Sequence, residues 1–135
     1  MNAVDRAVVL FVIPTLLTRS PAHELAYLVS YFFAGAFTEN AVPHFVSGVM
    51  GRAFQSPFAK PPGEGLSSST VNVIWGFCNI VVSYLLIAHV GSFQWRATTH
   101  IVAFGLGFLL KSLGSARQFG KFHGGNTPLE GSGVR

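Results

Sequence analysis

The stretch that decides the fold is residues 25–54, LAYLVSYFFAGAFTENAVPHFVSGVMGRAF. Most of it reads as membrane helix, yet it holds Glu39 and Asn40, followed closely by Pro43 and His44. An ionisable side chain at bilayer depth costs at least ~2.5 kcal/mol on insertion scales, so Glu39 marks a site by default. A straight helix over these residues measures about 45 Å against a hydrocarbon core of about 30 Å, so the segment must tilt, break or turn. Pro43 supplies the expected break, since it lacks the amide that would bond to the carbonyl of Glu39. A carboxylate, a freed carbonyl and the Asn40 amide then gather at one point, and irregular backbone at that depth must face protein or a wet cavity.

Working outward, the uncharged run from Gly65 to Gln94 contains the clearest span, 70–90. Ser67, Ser68 and Ser69 offer caps for its first amides and Gly91 a natural residue just past its end. Trp75 and Trp95 stand about 30 Å apart along such a helix, the separation of two interfacial aromatic belts. A further span, 97–115, has Lys111 near its end, where a long amine can reach back to the interface. Upstream, Arg6, an apolar run and the small residues Ser20 and Ala22 allow three readings of the N-terminus: a short spanning helix, an interfacial helix or a signal segment.

Composition agrees with this reading. Of 135 residues 50% are hydrophobic and only 10% charged, against about 25% charged in soluble domains. Mean hydropathy is +0.47. The net charge of +4 is dispersed rather than gathered on a basic face, which excludes nucleic acid as a partner. The single Cys78 excludes an internal disulfide and a cysteine-based zinc site. The expected fold class is therefore all-α, a polytopic integral membrane protein with three to four transmembrane helices, one of them broken at Pro43. Residues 1–115 form the helical transmembrane domain, with a short N-terminal helix 1–22, the broken helix 24–54 and helices 70–90 and 97–115. Residues 116–135 form a basic, Gly-rich tail.

The loop from Arg52 to Leu66 carries Pro57, Pro61, Pro62, Gly63 and Gly65 and reads as a stiffened connection. Arg52 and Lys60 in this loop and Arg117, Lys121 and Arg135 in the tail leave Arg96 alone on the opposite side. Both the tail and the Arg52–Leu66 loop are thus expected in the cytoplasm, with the helices in a cytoplasmic or inner membrane.

Asn72, Gly76, Asn79 and Ser83 recur at i, i+4, i+7 and i+11, one helical face, which suits an inter-helix seam or else the polar wall of a substrate path. Ala26, Ser30, Ala34 and Thr38 form a matching stripe, as do Ala103, Gly107 and Gly114. Glu39, Asn40 and His44, with Asn72, Asn79 and Lys111, are the binding or proton-relay candidates. Glu39 has rival states: a neutral proton-carrying acid, an ion pair with Lys111 or Arg52, or an interfacial glutamate. His44 and His100 are the only candidate metal ligands, and no histidine pair shows the i, i+4 spacing of a helical metal site; neither metal, haem nor any other cofactor is expected. No phosphate-binding loop, nucleophile elbow or zinc-protease motif is present, so no catalytic residue is assigned.

The leading functional expectation is a small multi-pass membrane protein that works by binding, as a homo-oligomer or as a subunit of a larger membrane complex, with the lipid bilayer and other copies or another membrane subunit as partners. The alternatives are a proton-coupled small-solute transporter or channel centred on Glu39, and a membrane-embedded metal- or lipid-handling enzyme in which His44 and His100 converge with Glu39.

Overall fold

The computed structural model describes residues 20–127, so all but the end of the expected 1–22 helix and the last residues of the tail lie outside it. The protein is mostly helical, with α1 (Pro21–Val49), a two-stranded ribbon of β1 (Phe54–Gln55) and β2 (Leu66–Ser67), α2 (Ser69–Ala88) and α3 (Thr98–His123). Two of these helices, α2 and α3, are long and apolar enough to cross a membrane. Helix α1 is longer than either but carries Glu39 and Asn40 in its middle.

Helix α1 begins with Ser20 as N-cap, whose hydroxyl accepts from the Ala22 amide at 3.3 Å, and has Pro21 in its first turn, where a missing amide costs nothing. It ends at Gly51, whose φ of 71° lets Arg52 N–H reach the Ser47 carbonyl at 2.9 Å in a Schellman-type turn. The expected break at Pro43 does not occur: the helix runs unbroken through it. The missing bond to the Glu39 carbonyl is one local loss, and both halves of α1 are held by packing on either side of it. Before Pro43, Gly35 lies under the backbone of Phe104; after it, Phe45 lies on Gly76 and Gly48 on Val73.

Helix α1 is the centre of the molecule, packed against α2 on one flank and α3 on the other, while α2 and α3 hardly touch each other. Ser68 caps α2, accepting from the Val71 amide. Helix α2 stops at Ala88, two residues before its expected end, and Gly91 instead lets the loop press against Tyr27 and Tyr31. Helix α3 continues to His123 rather than ending at Ser115, so residues 116–123 are helix and not tail. Nothing in that segment breaks a helix; Gly124, with φ 74°, does. The extension is held because Phe119 packs on Phe54, with ring centres 4.7 Å apart, and His123 stacks on Phe54 at 5.7 Å.

The stiffened loop is a ribbon: Phe54 pairs with Ser67 and Gln55 with Leu66, antiparallel. This strand pair is the one departure from an all-α fold among the described residues. The distribution of side chains is inverted relative to a water-soluble bundle. Ser30, Glu39, His44, Asn72, Asn79, Ser83, His100 and Ser115 are buried, whereas Ile74, Phe77, Ile80, Leu85, Val102, Leu106, Leu109, Leu110 and Leu113 face outward.

Candidate functional site

The buried polar groups lie along the two flanks of α1. Towards α2, the residues that occupy the interior are Asn72, Gly76, Asn79 and Ser83, the face expected from their spacing. Ser30 donates to the Leu86 carbonyl at 2.9 Å. The hydroxyls of Thr38 and Ser83 lie 2.7 Å apart, each 2.9 Å from the Ala34 carbonyl. Asn40 Nδ2 donates to Asn79 Oδ1 at 3.0 Å, and Asn79 Nδ2 to the Trp75 carbonyl at 2.7 Å. Ala26, the outermost member of the α1 stripe, is exposed.

The last of these links is the densest. Asn72 is fully buried, and its Nδ2 faces the carbonyls of Phe54, Ser67 and Ser68 at 3.2, 3.0 and 3.0 Å. That amide group ties the ribbon to the start of α2. With its nitrogen committed as donor, its Oδ1 accepts from His44 Nδ1 at 2.9 Å. His44 also has Phe54, Trp75 and Phe119 edge-on around its ring.

Towards α3, the polar contact is concentrated at one point. Lys111 Nζ donates to Ser115 Oγ at 2.8 Å, Ser115 Oγ donates to Glu39 Oε2 at 3.2 Å, and Lys111 lies 3.5 Å from the same carboxylate oxygen. Glu39 is 7% exposed. Lys111 therefore does not extend to an interface, as expected of it; its partly exposed side chain reaches Glu39, whose buried charge would be costly without a counter-ion. Of the rival states of Glu39, the geometry is that of the ion pair, with Lys111 and not Arg52.

The candidates are thus placed close in sequence but directed apart. Glu39 engages α3, Asn40 engages Asn79, and His44 engages Asn72, so the three do not form one relay. His100 sits at the start of α3, where its Nδ1 accepts from the Gln94 amide at 3.0 Å and its ring lies 4.8 Å from that of Tyr31. Tyr31 precedes His44 by about 20 Å of helix, so His44 and His100 do not converge. Among the described residues no three of His, Cys, Asp and Glu cluster as metal ligands.

Several participants lay outside the sequence reading. Ser115 was detectable in principle as the i+4 neighbour of Lys111. Gln55, whose Oε1 takes a hydrogen bond from His123 at 3.2 Å, and Gly35, the α1 counterpart of the expected seam residue Gly107, carried no local signal. No family model matches the chain, and neither curated proteins nor solved structures give a match.

Proposed function

We propose that this is a multi-pass integral membrane protein of three to four helices that acts by binding, as a homo-oligomer or as a subunit of a larger membrane complex. The observation that carries the reading is the inverted interior. Polar side chains fill the joins between helices, and the outward faces of α2 and of α3 from Ile101 to Leu113 are apolar. Apolar outer faces suit lipid or another apolar helix, and buried amides and hydroxyls suit helix joins in a medium that offers them no water. Glu39, the carboxylate on which the proton-relay reading centres, has Lys111 as its partner at 3.5 Å, which supports a structural role for it. The test is purification in mild detergent followed by mass measurement. A particle heavier than one chain is expected; a strictly monomeric, partner-free particle overturns the reading.

For orientation, Arg52, Lys60, Arg117 and Lys121 are all exposed at or near the ribbon, with Arg96 in the opposite loop. We place the ribbon end in the cytoplasm on this charge difference. In intact cells, an impermeant maleimide should label Trp95→Cys and leave Lys60→Cys unlabelled in a Cys78→Ala background; the reverse pattern inverts the assignment.

A second reading, a proton-linked transporter, draws on one observation: a cavity of about 240 Å³ lined by Asn40, Asn79 and Lys111 beside the ion pair. Glu39→Gln in reconstituted vesicles tests it, since unchanged proton flux and uptake remove it. The enzyme reading requires a convergence of Glu39, His44 and His100, which lie apart, and we do not propose it.

A further inference from the structure

Between the ribbon and the helices lies a cavity of about 420 Å³, within the range of small-molecule sites. We propose that it is a binding site for a neutral aromatic ring bearing a hydroxyl group, a phenol-type ligand. The site is independent of how the chain assembles.

The first argument is charge. The lining contains no Asp, Glu, Lys or Arg, so an ionic ligand would lose its hydration with no counter-ion in return. The second is shape. Trp75 and Phe119 form walls from α2 and α3, and Pro57 and Pro62 add flat, rigid faces from the ribbon loop. Such surfaces suit the face or edge of a ring.

The third argument is the hydrogen-bonding state of His44, which is only 3% exposed and lines the cavity. Three backbone carbonyls hold Asn72 so that its Oδ1 can only accept, and this requires a proton on His44 Nδ1. No carboxylate touches the ring, and a buried imidazolium without one is costly, so the ring is neutral. The lone pair therefore belongs to Nε2. That atom has no hydrogen-bond partner among the described residues and is not fully buried, and His44 lines the cavity. It is a fixed acceptor awaiting a donor.

The remaining polar groups complete the match. Gln55 is 4% exposed, and its Oε1 is taken by His123, which leaves the amide nitrogen as donor. Gln118 likewise accepts from Lys121 through Oε1 and keeps its amide nitrogen. Asn40, Ser56 and Trp75 also line the cavity, and Trp75 Nε1 is a further donor without a partner; acceptors and donors set side by side in a largely apolar space are the complement of a phenolic hydroxyl, which donates once and accepts as well. An alkyl alcohol would meet the polar groups and waste the walls; a plain arene would fill the walls and leave Nε2 unpaired.

The test uses the full chain in lipid nanodiscs with ¹⁵N-labelled histidine. The His44 ring signals are identified by their loss in His44→Gln. The expected spectrum has Nδ1 protonated and Nε2 bare, and 4-methylphenol should shift the Nε2 signal saturably, whereas its methyl ether, 4-methylanisole, should not. In a Trp95→Phe background, Trp75 is the remaining tryptophan, and its fluorescence should report the same saturation. Gln118→Leu, at a half-buried position, should weaken the phenol about fivefold. A proton on Nε2, an absent response to the phenol, or an equal response to the ether overturns the proposal.

Discussion

Where α1 meets α2, the join is made by hydroxyls and amides spread from Ser30 to His44, whereas where it meets α3 the polar contact is confined to Glu39 with Lys111 and Ser115, between the ring contacts of Tyr31 with His100 and of His44 with Phe119. Close glycine approach occurs on both flanks, since Gly48 and Gly76 also admit the neighbouring helix. Both flanks thus carry a reciprocal glycine pair set against backbone, but the approach is tighter on the α3 flank: a Cβ on Gly35 would collide with the Phe104 carbonyl and one on Gly107 with the Phe32 carbonyl. A distributed seam can lose one bond and keep its register. A flank whose polar contact is made at one level has no such reserve of hydrogen bonds, and at its glycines its tolerance depends on backbone that cannot move aside.

The largest effect should therefore come from Gly107→Val. Its side chain has only the Phe32 backbone to displace, so α3 must shift off α1 at a cost of about 3 kcal/mol. Gly114→Ala and Gly105→Ala are the controls on the same helix. Neither position has any atom within 4 Å of an added Cβ, and alanine is the better helix former by up to ~1 kcal/mol. Unfolding in mixed detergent micelles measures all three. If Gly107→Val unfolds together with Gly114→Ala, the backbone contact is not what holds α3.

Next in size is the ion pair. Lys111→Met leaves Glu39 buried beside Ser115 alone, and breaking a fully buried pair costs about 3–5 kcal/mol. The Lys111 side chain is 37% exposed, so about 2 kcal/mol is the better expectation. Adding Glu39→Gln should recover most of that loss, because the uncompensated charge and not the missing contact is the expensive element. A double variant no more stable than Lys111→Met would mean that the lysine acts by packing.

The contrast between the two flanks also explains what could be read from the chain. The α2 face was legible because Asn72, Gly76, Asn79 and Ser83 are small or amide-bearing against an otherwise apolar background. Its α1 counterpart was legible from Ser30 to Thr38 for the same reason. On α3 the stripe through Gly107 and Gly114 misled. The actual seam follows Gly107, Lys111, Ser115 and Phe119, a row of i+4 steps that winds slowly around the helix and leaves Gly114 outside. Spacing alone does not tell which row a neighbour will follow; that depends on the crossing. The helix ends failed similarly. Pro43 is a local disruption overruled by packing on both sides, and residues 116–123 stay helical because the ribbon supplies Phe54 for Phe119 and His123. Both causes are tertiary and have no trace in local sequence. Glu39 and Lys111 were each visible as charges in apolar segments, but their pairing depended on which helix flanks α1.

The smallest effects belong to the seam itself. Thr38→Val removes a hydroxyl that lies against Ser83 and the Ala34 carbonyl, yet Ser83 still reaches that carbonyl at 2.9 Å. Asn40→Ala removes one donor from Asn79, whose own amide nitrogen still holds the Trp75 carbonyl. Each should cost about 0.6 kcal/mol, the average for a polar bond between membrane helices. Made together they should cost about the sum, because the two links share no atom and their α2 partners, Asn79 and Ser83, stand a turn apart. A penalty for the pair well above that sum would show that the seam closes as a unit. In that case the α2 flank, and not the α3 flank, would be the less tolerant of the two.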